Sequence, residues 1–348
     1  MCIWRRPVAI LTMAATIISA VPGSGPERVA RYAYATSKNV IITPGRILAT
    51  IPPEWSVRQL EWSPDGNRLA WLMSSGTSNA GQIVLASTRD DGATQTWACV
   101  CERIAFRGGA LVSDDQAAEK AELLTYPETG DVGRLSLTEG NWPPLSIVGA
   151  TGQTDGIVLR EDEKVSGGPQ RMYRLGADGR FFPLAISRGS RPPIDVTFDR
   201  EGGRMAYVAH GHGGICNNNG TPVILDLASG RQVMPEPPPL KGIRRWHTRA
   251  IWFDLPGDVY ASLIPGPDCA DTRAHVVEPE IYRLHGDQWI PTGDRAIWRD
   301  YGPDGRHLTL SGLVRVDTVG ITDVGPFTLE PGGVGGVTAV AWSPTAPN

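Results

Sequence analysis

The chain has 348 residues, of which 41 are glycine and 29 are proline, a density that indicates short strands joined by tight turns rather than long helices. Its 33 basic and 37 acidic residues give a net charge of −4 without a long run of either sign, which argues against the concentrated basic surface that nucleic-acid binding needs. The length fits one large all-β domain built from repeats, or two ordinary domains.

The N-terminus has the pattern of an export segment. Arg5 and Arg6 precede an uncharged stretch, residues 7–21, that is rich in Ala, Ile, Leu and Val and shorter than the ~20 residues of a spanning helix. Ala20 is a small residue at a candidate cleavage site. We therefore expect residues 1–27 to be a signal peptide, with an uncleaved N-terminal anchor as the alternative, and the protein to be secreted or otherwise extracytoplasmic.

Residues 60–71, with the sequence Leu-Glu-Trp-Ser-Pro-Asp-Gly-Asn-Arg-Leu-Ala-Trp, predict a β-hairpin. Pro64 fixes φ for the turn, Asp65 can accept a hydrogen bond from the backbone that follows it, and Gly66 accepts a positive φ. The apolar residues after the turn alternate, as they do along a strand with one buried face.

Weaker copies of this hairpin recur along the chain. They lie at residues 104–109, 149–156, 196–207, 250–260, 297–308 and 340–344. The aromatic residue of each copy, or its equivalent, falls at positions 62, 106, 150, 198, 253, 301 and 342. A spacing of ~40–50 residues that leaves room for four short strands is typical of a propeller blade.

The last copy lacks the strands that should follow its turn, and the N-terminal region supplies them. Residues 28–35, 39–42 and 46–51 read as the second, third and fourth strands of a blade. Together with the C-terminal strand they would complete a sheet and leave no unpaired edge at the join. We predict an all-β fold, a single β-propeller over residues 28–348 with seven four-stranded blades, six or eight blades being the alternatives.

The Trp-Ser-Pro-Asp-Gly-x-x-Leu-Ala hairpin at residues 62–70 resembles the repeat of TolB-type propellers, which are periplasmic and extracytoplasmic relatives of the tryptophan-aspartate repeat proteins. The resemblance extends over residues 28–348. It implies a propeller fold and a location outside the cytoplasm. It names no partner, because no partner-contacting motif can be matched residue by residue.

Four cysteines follow the export segment, namely Cys99, Cys101, Cys216 and Cys269. An even number in an oxidising compartment favours disulfides. Cys216 and Cys269 fall in equivalent loops, each after the second strand of adjacent predicted blades, so we expect a bond between them. Free thiols or other pairings are the alternatives to that bond. Cys99 and Cys101 point to the same side of a predicted strand, so they could pair with each other only with local strain.

No set of catalytic residues stands out. His210 and His212 could ligate a metal, but the sequence supplies no third ligand, and polar loop residues are the commoner account of such a pair. The carboxylate pair Asp114 and Asp115 reads as part of a solvated turn. The chain also lacks the Gly-x-Ser-x-Gly turn of a serine hydrolase. We therefore expect no catalytic, cofactor-binding or metal-ligating residue and no cofactor.

Nine of the 11 tryptophans fall into two groups. Four recur at the blade marker and should pack between sheets: Trp62, Trp252, Trp298 and Trp342. Five have no assigned role, and an exposed pair among them would support carbohydrate binding: Trp55, Trp97, Trp142, Trp246 and Trp289.

These observations favour a non-enzymatic scaffold, a monomer that binds a protein or cell-envelope component through one ring face. The alternatives are a propeller hydrolase or lyase acting on sugars or peptides, and a ligand-sensing propeller. For the sensor, His210, His212 and Arg245 are the candidate ligand contacts. No nucleic-acid partner is expected, and the membrane is expected to matter only through an uncleaved N-terminal segment.

Overall fold

A computed structural model describes residues 32–342, apart from segments that lie mostly between the strands. The segments outside the described part are 43–45, 77–80, 90–92, 118–120, 138–143, 152–155, 162–169, 189–192, 200, 211–219, 237, 239–244, 254–256, 267–279, 294–297, 302–305, 310–312, 318–319 and 326–336. Within the described part the regular elements are β-strands, without an α-helix. No membrane-spanning helix is found among these residues.

The strands pair into four-stranded antiparallel sheets, seven of them in the described part of the chain. We call each sheet a blade. Blade 1 consists of β4 (Trp55–Trp62), β5 (Arg68–Ser75), β6 (Gly81–Ser87) and β7 (Thr94–Cys99). Blade 2 consists of β8 (Ile104–Arg107), β9 (Ala110–Asp114), β10 (Glu122–Tyr126) and β11 (Gly133–Ser136). Blade 3 consists of β12 (Leu145–Ala150), β13 (Ile157–Glu161), β14 (Arg171–Leu175) and β15 (Phe181–Ile186).

Blades 4 to 7 complete the set. Blade 4 consists of β16 (Ile194–Phe198), β17 (Arg204–His210), β18 (Gly220–Asp226) and β19 (Gln232–Val233), and blade 5 of β20 (Arg245–Phe253), β21 (Val259–Gly266), β22 (Glu280–His285) and β23 (Gln288–Pro291). Blade 6 consists of β24 (Trp298–Tyr301), β25 (Arg306–Thr309), β26 (Leu313–Asp317) and β27 (Gly320–Gly325). Blade 7 consists of β28 (Val337–Trp342), β1 (Tyr32–Thr36), β2 (Asn39–Ile42) and β3 (Arg46–Thr50).

The first strand of each blade contacts the first strand of the next, in the closed cycle β4, β8, β12, β16, β20, β24, β28 and back to β4. These seven strands therefore form the inner ring, and the later strands of each blade extend outward to the rim, which is the arrangement of a β-propeller. We call the ring face at which the inner strands begin the entrance face, and the opposite one the exit face.

The ring is closed where the two ends of the chain meet. In blade 7, β28 pairs with β1, and Tyr32 lies opposite Trp342 and Tyr34 opposite Val340. The N-terminal strands β1, β2 and β3 follow in order toward the rim. The prediction that both chain ends share one sheet is confirmed, as is the all-β propeller fold.

The hairpin of blade 1 has the turn chemistry that its sequence predicts. Gly66 has φ of 67°, and its N–H donates to the carbonyl oxygen of Ser63 at 2.8 Å. The Asp65 carboxylate accepts from the Ser63 hydroxyl at 2.5 Å and from the N–H of Asn67 at 3.1 Å. The turn therefore satisfies its own polar groups and places β4 and β5 side by side.

The hydrophobic core lies between blades rather than inside any one of them. One cluster joins blades 7 and 1, with Ala33 and Leu60 among its buried members. Four others join blades 1 and 2, 2 and 3, 3 and 4, and 4 and 5. Blades 1 to 4 therefore bury both of their faces against their neighbours, and their strands carry long apolar runs.

The tryptophans mostly serve this core. Trp62, at a blade marker, and Trp252, beside the marker at position 253, are buried, and Trp62 also donates its indole N–H to the carbonyl oxygen of Ala341 at 3.0 Å. Of the five unassigned tryptophans, Trp246 and Trp289 are buried. Trp55 and Trp97 are partly buried against core clusters, and Trp142 lies outside the described residues. None of the four described ones belongs to an exposed aromatic pair.

Candidate functional site

Two of the three sequence-predicted ligand candidates, His210 and Arg245, stand at strand ends on the entrance face, and the third, His212, lies outside the described part of the chain. His210 is the last residue of β17, opposite Gly220, and Arg245 is the first of β20, opposite Gly266. Both strand ends lie at this face. The structure gives no side-chain position for either residue, and His212 falls outside it, so the proposed ligand role of all three stays a prediction.

The cysteines divide in the same way. Cys99 ends β7 and forms a disulfide with Cys101, with the two Cα atoms 5.4 Å apart. The sequence allowed this bond only with local strain. Cys216 and Cys269 lie in the segments 211–219 and 267–279, outside the described residues. The expected bond between them stays a prediction.

A cavity of about 350 Å³ lies at the entrance face, where side chains of four blades meet. Arg58 on β4 and Arg103 just before β8 belong to its wall, as does Arg160 on β13. The remaining wall residues are Glu102, Ile147, Val148 and Pro193. Because the inner strands of successive blades start at this face, residues that are far apart in the sequence meet around the cavity.

Arg160 is held rigidly although it carries a charge in a nearly buried position. Only 10% of its side chain is exposed. Its guanidinium donates to the Glu102 carboxylate at 3.2 Å and to the Gln170 side-chain oxygen at 3.3 Å. A buried charge needs such partners to offset the loss of water. Arg160 therefore ties the end of β13 to the crossover between blades 1 and 2.

Asp114 accepts hydrogen bonds from the same crossover. It is fully buried, and its Oδ1 accepts the backbone N–H groups of Glu102 at 2.8 Å and Arg103 at 3.1 Å. Burial raises the pKa of Asp114 to about 6, against the effect of these hydrogen bonds. The interpretation of Asp114 and Asp115 as a solvated turn is wrong: Asp115 is buried too and pairs with Arg134 at 2.9 Å.

Gln59 and Glu61 join blade 1 to blade 2 beside the cavity. The Gln59 amide donates to the Glu61 carboxylate at 2.7 Å and to the Ile104 carbonyl oxygen at 2.8 Å, and it accepts the Ile104 N–H at 3.0 Å. Burial raises the pKa of Glu61 to about 7, while the Gln59 hydrogen bond and the positive charge of Arg103 act in the opposite direction.

The cavity is therefore lined by three guanidinium groups and one carboxylate, that of Glu102. Arg103 donates to the carbonyl oxygen of Val148 at 3.3 Å, which aims it across the cavity wall from blade 2 to blade 3. Such an arrangement suits an anionic group, since guanidinium offers several N–H donors in a fixed plane. Among the described residues no group of three or more His, Cys, Asp or Glu could hold a metal ion.

Sequence reasoning missed this site because its residues share no motif. The one available signal is positional: Arg58 and Arg103 stand four and three residues before the aromatic markers at positions 62 and 106. A basic residue at the start of successive inner strands falls on the same ring face. Arg160 gives no such signal, because it lies in the second strand of blade 3. It reaches the cavity wall only through the packing of blades 2 and 3.

Comparison with known proteins supports the fold and little beyond it. No model of a known protein family matches the chain, and no curated protein does so. Solved structures do match. A functionally unknown protein from Desulfotomaculum acetoxidans is 12% identical with a TM-score of 0.53, covering 90% of this chain and 99% of that one.

Two further solved structures are similar. The β-propeller domain of the trilobed protease from Pyrococcus furiosus, described as having an open velcro topology, is 13% identical with a TM-score of 0.51 over 86% of this chain and 94% of that one. A prolyl endopeptidase is 8% identical with a TM-score of 0.52, over 82% of this chain and 47% of that one. At these identities the likeness concerns the fold alone, and the fold it shows is the β-propeller.

Proposed function

We propose that this chain is a non-enzymatic, extracytoplasmic propeller of the TolB type that holds a protein or cell-envelope partner on its entrance face. The observation that carries the proposal is the arginine-lined cavity at that face. Its wall is assembled from separate blades, and a concave site with a few convergent polar groups on a rigid scaffold is the usual form of a binding site.

Two features support this face over the opposite one. The crossovers between blades and the connections after each second strand lie here, and loops on a rigid scaffold commonly carry recognition. The longest segments between paired strands, 162–170, 211–219 and 267–279, connect strands at this face. The exit face of the described blades instead carries tight turns, such as the one at Gly66.

The extracytoplasmic location rests on the sequence of residues 1–27 and on cysteine pairing. A disulfide between Cys99 and Cys101 agrees with an oxidising compartment, because disulfides persist there and are rare in the cytosol. Fractionation of the source cells, followed by N-terminal sequencing of the mature chain, tests this part of the proposal directly.

Site-specific photo-crosslinking tests the partner surface. Glu54 is exposed just before β4 at the entrance face, and Asp178 is exposed in the turn between β14 and β15 at the exit face. A photoreactive amino acid at each position gives two matched variants. We expect adducts from position 54 and none from position 178 when the proteins are irradiated in their own cells.

The outcomes separate the candidate functions. Equal adducts from both positions, or none from either, would contradict a partner on the entrance face. Cross-linked material that is progressively cleaved would instead favour the alternative, a hydrolase or lyase acting on sugars or peptides. A small molecule recovered without a macromolecular adduct would favour the ligand-sensing propeller.

A further inference from the structure

The charges around the entrance cavity are unbalanced toward positive. Three guanidinium groups line it, against the single lining carboxylate of Glu102. Two more carboxyl groups, those of Glu61 and Asp114, lie behind Arg103, and burial raises their pKa values to about 7 and 6. Near neutral pH these two groups together therefore carry less than two full negative charges. The positive charge of the three guanidinium groups exceeds the summed negative charge of the three carboxyl groups.

Arg58 is the guanidinium group that the protein itself leaves uncompensated. It is exposed on β4, and it forms no ion pair or hydrogen bond with any residue that the structure describes. Arg103 and Arg160, in contrast, are already oriented by the Val148 carbonyl oxygen and by Glu102 and Gln170. Two oriented guanidinium groups and one without a described partner therefore lie on the same cavity wall, an arrangement that suits an anion.

The rest of the wall is apolar. Ile147 and Val148 lie on β12, and Pro193 precedes β16; all three are buried. The volume of about 350 Å³ lies at the lower end of the ~300–1,000 Å³ range of small-molecule sites. The cavity therefore has room for one small organic group, with a charged end at the arginines and an apolar body against these three residues.

We infer that the cavity binds an organic anion, a carboxylate or phosphate group attached to a small apolar body, with Arg58 as its principal free contact. This inference rests on the proposed function, because it names the chemical group by which a partner would engage the entrance face. The shared chemistry is an oxyanion that accepts hydrogen bonds from guanidinium groups.

Calorimetric titration of the folded, mature chain at low ionic strength tests the inference with three probes. Phenylbutyrate supplies a carboxylate, phenylbutyl phosphate supplies a phosphate on a similar phenylalkyl body, and phenylbutanol supplies that apolar body without charge. We expect at least one anion to bind, with phenylbutanol binding at least about tenfold more weakly, since charge-assisted hydrogen bonds are the stronger class. The tighter of the two anions identifies the source of the oxyanion. Added salt should weaken the anion's binding.

Matched variants locate the bound anion. Arg58→Gln should weaken binding of the tighter anion by about tenfold, as loss of one charged hydrogen bond predicts, and Arg58→Lys should weaken it less, because lysine keeps the charge. Arg180→Gln is the control, since Arg180 is a 75% exposed side chain in the turn before β15 at the exit face. It should bind as the unaltered chain does.

Three results would overturn the inference: neither anion binds, phenylbutanol binds as tightly as the anions, or Arg58→Gln and Arg180→Gln bind equally well. A circular dichroism spectrum of each variant shows that it is folded, and the Arg58→Lys variant serves if Arg58→Gln does not fold. Cross-links from position 54 without anion binding would defeat the anion site alone. Anion binding without cross-links would defeat the macromolecular partner alone.

Discussion

Glu61 and Asp114 are carboxyl groups that the fold places where ionisation is costly. Glu61 lies between blades 1 and 2 on Gln59, and Asp114 is buried beneath the crossover that carries Glu102 and Arg103. Burial raises both pKa values, to about 7 and about 6. The folded protein therefore takes up protons at these residues more readily than the unfolded chain does, and its stability depends on pH.

Glu61→Gln tests this dependence. Because the folded-state pKa of Glu61 is raised from 4.5 to about 7, its contribution to stability is full below pH 4.5 and is lost as the pH rises through about 7. The glutamine variant has no such loss. We expect urea unfolding to show the two proteins equally stable near pH 4.5 and the variant relatively more stable near pH 8.

The exposed residue Glu54 provides the control for that experiment. Glu54→Gln makes the same chemical change without a buried carboxyl group. Its stability should follow that of the unaltered chain across the pH range. Parallel curves for Glu61→Gln and the unaltered chain would show that Glu61 ionises as an ordinary surface residue.

Asp114→Ala should destabilise the protein because the backbone N–H groups of Glu102 and Arg103 would lose their acceptor. Burying an unpaired donor costs roughly 1–3 kcal/mol, so we expect the free energy of unfolding to fall by about 2–4 kcal/mol. Asp114→Asn keeps one acceptor oxygen and should lose less. Urea unfolding at neutral pH compares the variants, and equal stability of Asp114→Ala and the unaltered chain would show that the crossover does not depend on Asp114.

At the scale of single residues, the burial of these carboxylates is a feature that the sequence does not predict. Asp114 and Asp115 stand in a polar stretch that is indistinguishable from a solvated turn. Asp114 lies beneath the crossover between blades 1 and 2, whose N–H groups it accepts, and Asp115 is paired with Arg134 on β11; neither contact is visible in the local sequence. Arg160 is hidden in the same way, because its partner Glu102 lies 58 residues away in the chain.

At the scale of the strands and turns, the close packing of neighbouring blades constrains particular glycines. Gly230 lies between β18 and β19 with φ of 72°, and a Cβ there would overlap the main-chain oxygen of Leu184 in blade 3. Gly286, between β22 and β23, has φ of 61° and open space around it. The two positions share a backbone conformation and differ only in their surroundings.

Alanine at these two glycines separates backbone strain from packing. Gly286→Ala should cost about 1–2 kcal/mol, the price of a left-handed conformation for an L-residue. Gly230→Ala should cost more by a further ~1–3 kcal/mol, because blade 3 or blade 4 must shift. Thermal or urea unfolding measures both losses. Equal losses would mean that the contact with Leu184 relaxes freely.

At this scale the sequence is informative wherever a turn has its own chemistry. The Ser63 to Gly66 turn follows from Pro-Asp-Gly alone, and the expected strands at residues 39–42 and 46–51 match β2 and β3. The degenerate copy at residues 104–109 also forms a hairpin, with both Gly108 and Gly109 at positive φ. The polar cluster around Gln59 has no local signature, since it depends on which blades become neighbours.

At the scale of the whole molecule, closure of the ring makes one blade depend on both ends of the chain. β28 pairs with β1 over Thr36 to Tyr32 and lies against β4 of blade 1. Ala339 and Ala341 pack on the core cluster between blades 7 and 1, and the Ala341 carbonyl oxygen accepts the Trp62 indole N–H. Loss of β28 would therefore expose an edge of β1 and uncover one side of blade 1.

Removal of residues 337–348 tests how much stability this closure supplies, and removal of residues 343–348, which follow β28, is the matched control. Without β28 the Trp62 indole loses its acceptor, and the apolar face of β4 becomes accessible to water, which costs ~25 cal/mol for each Å² exposed. The longer deletion should lower the melting temperature markedly and promote self-association through the free β1 edge, as light scattering would detect. The control should melt like the full chain. If both deletions melt alike, the remaining blades hold the ring without the terminal strand, as repeat units stabilised mainly by their sequential neighbours would do.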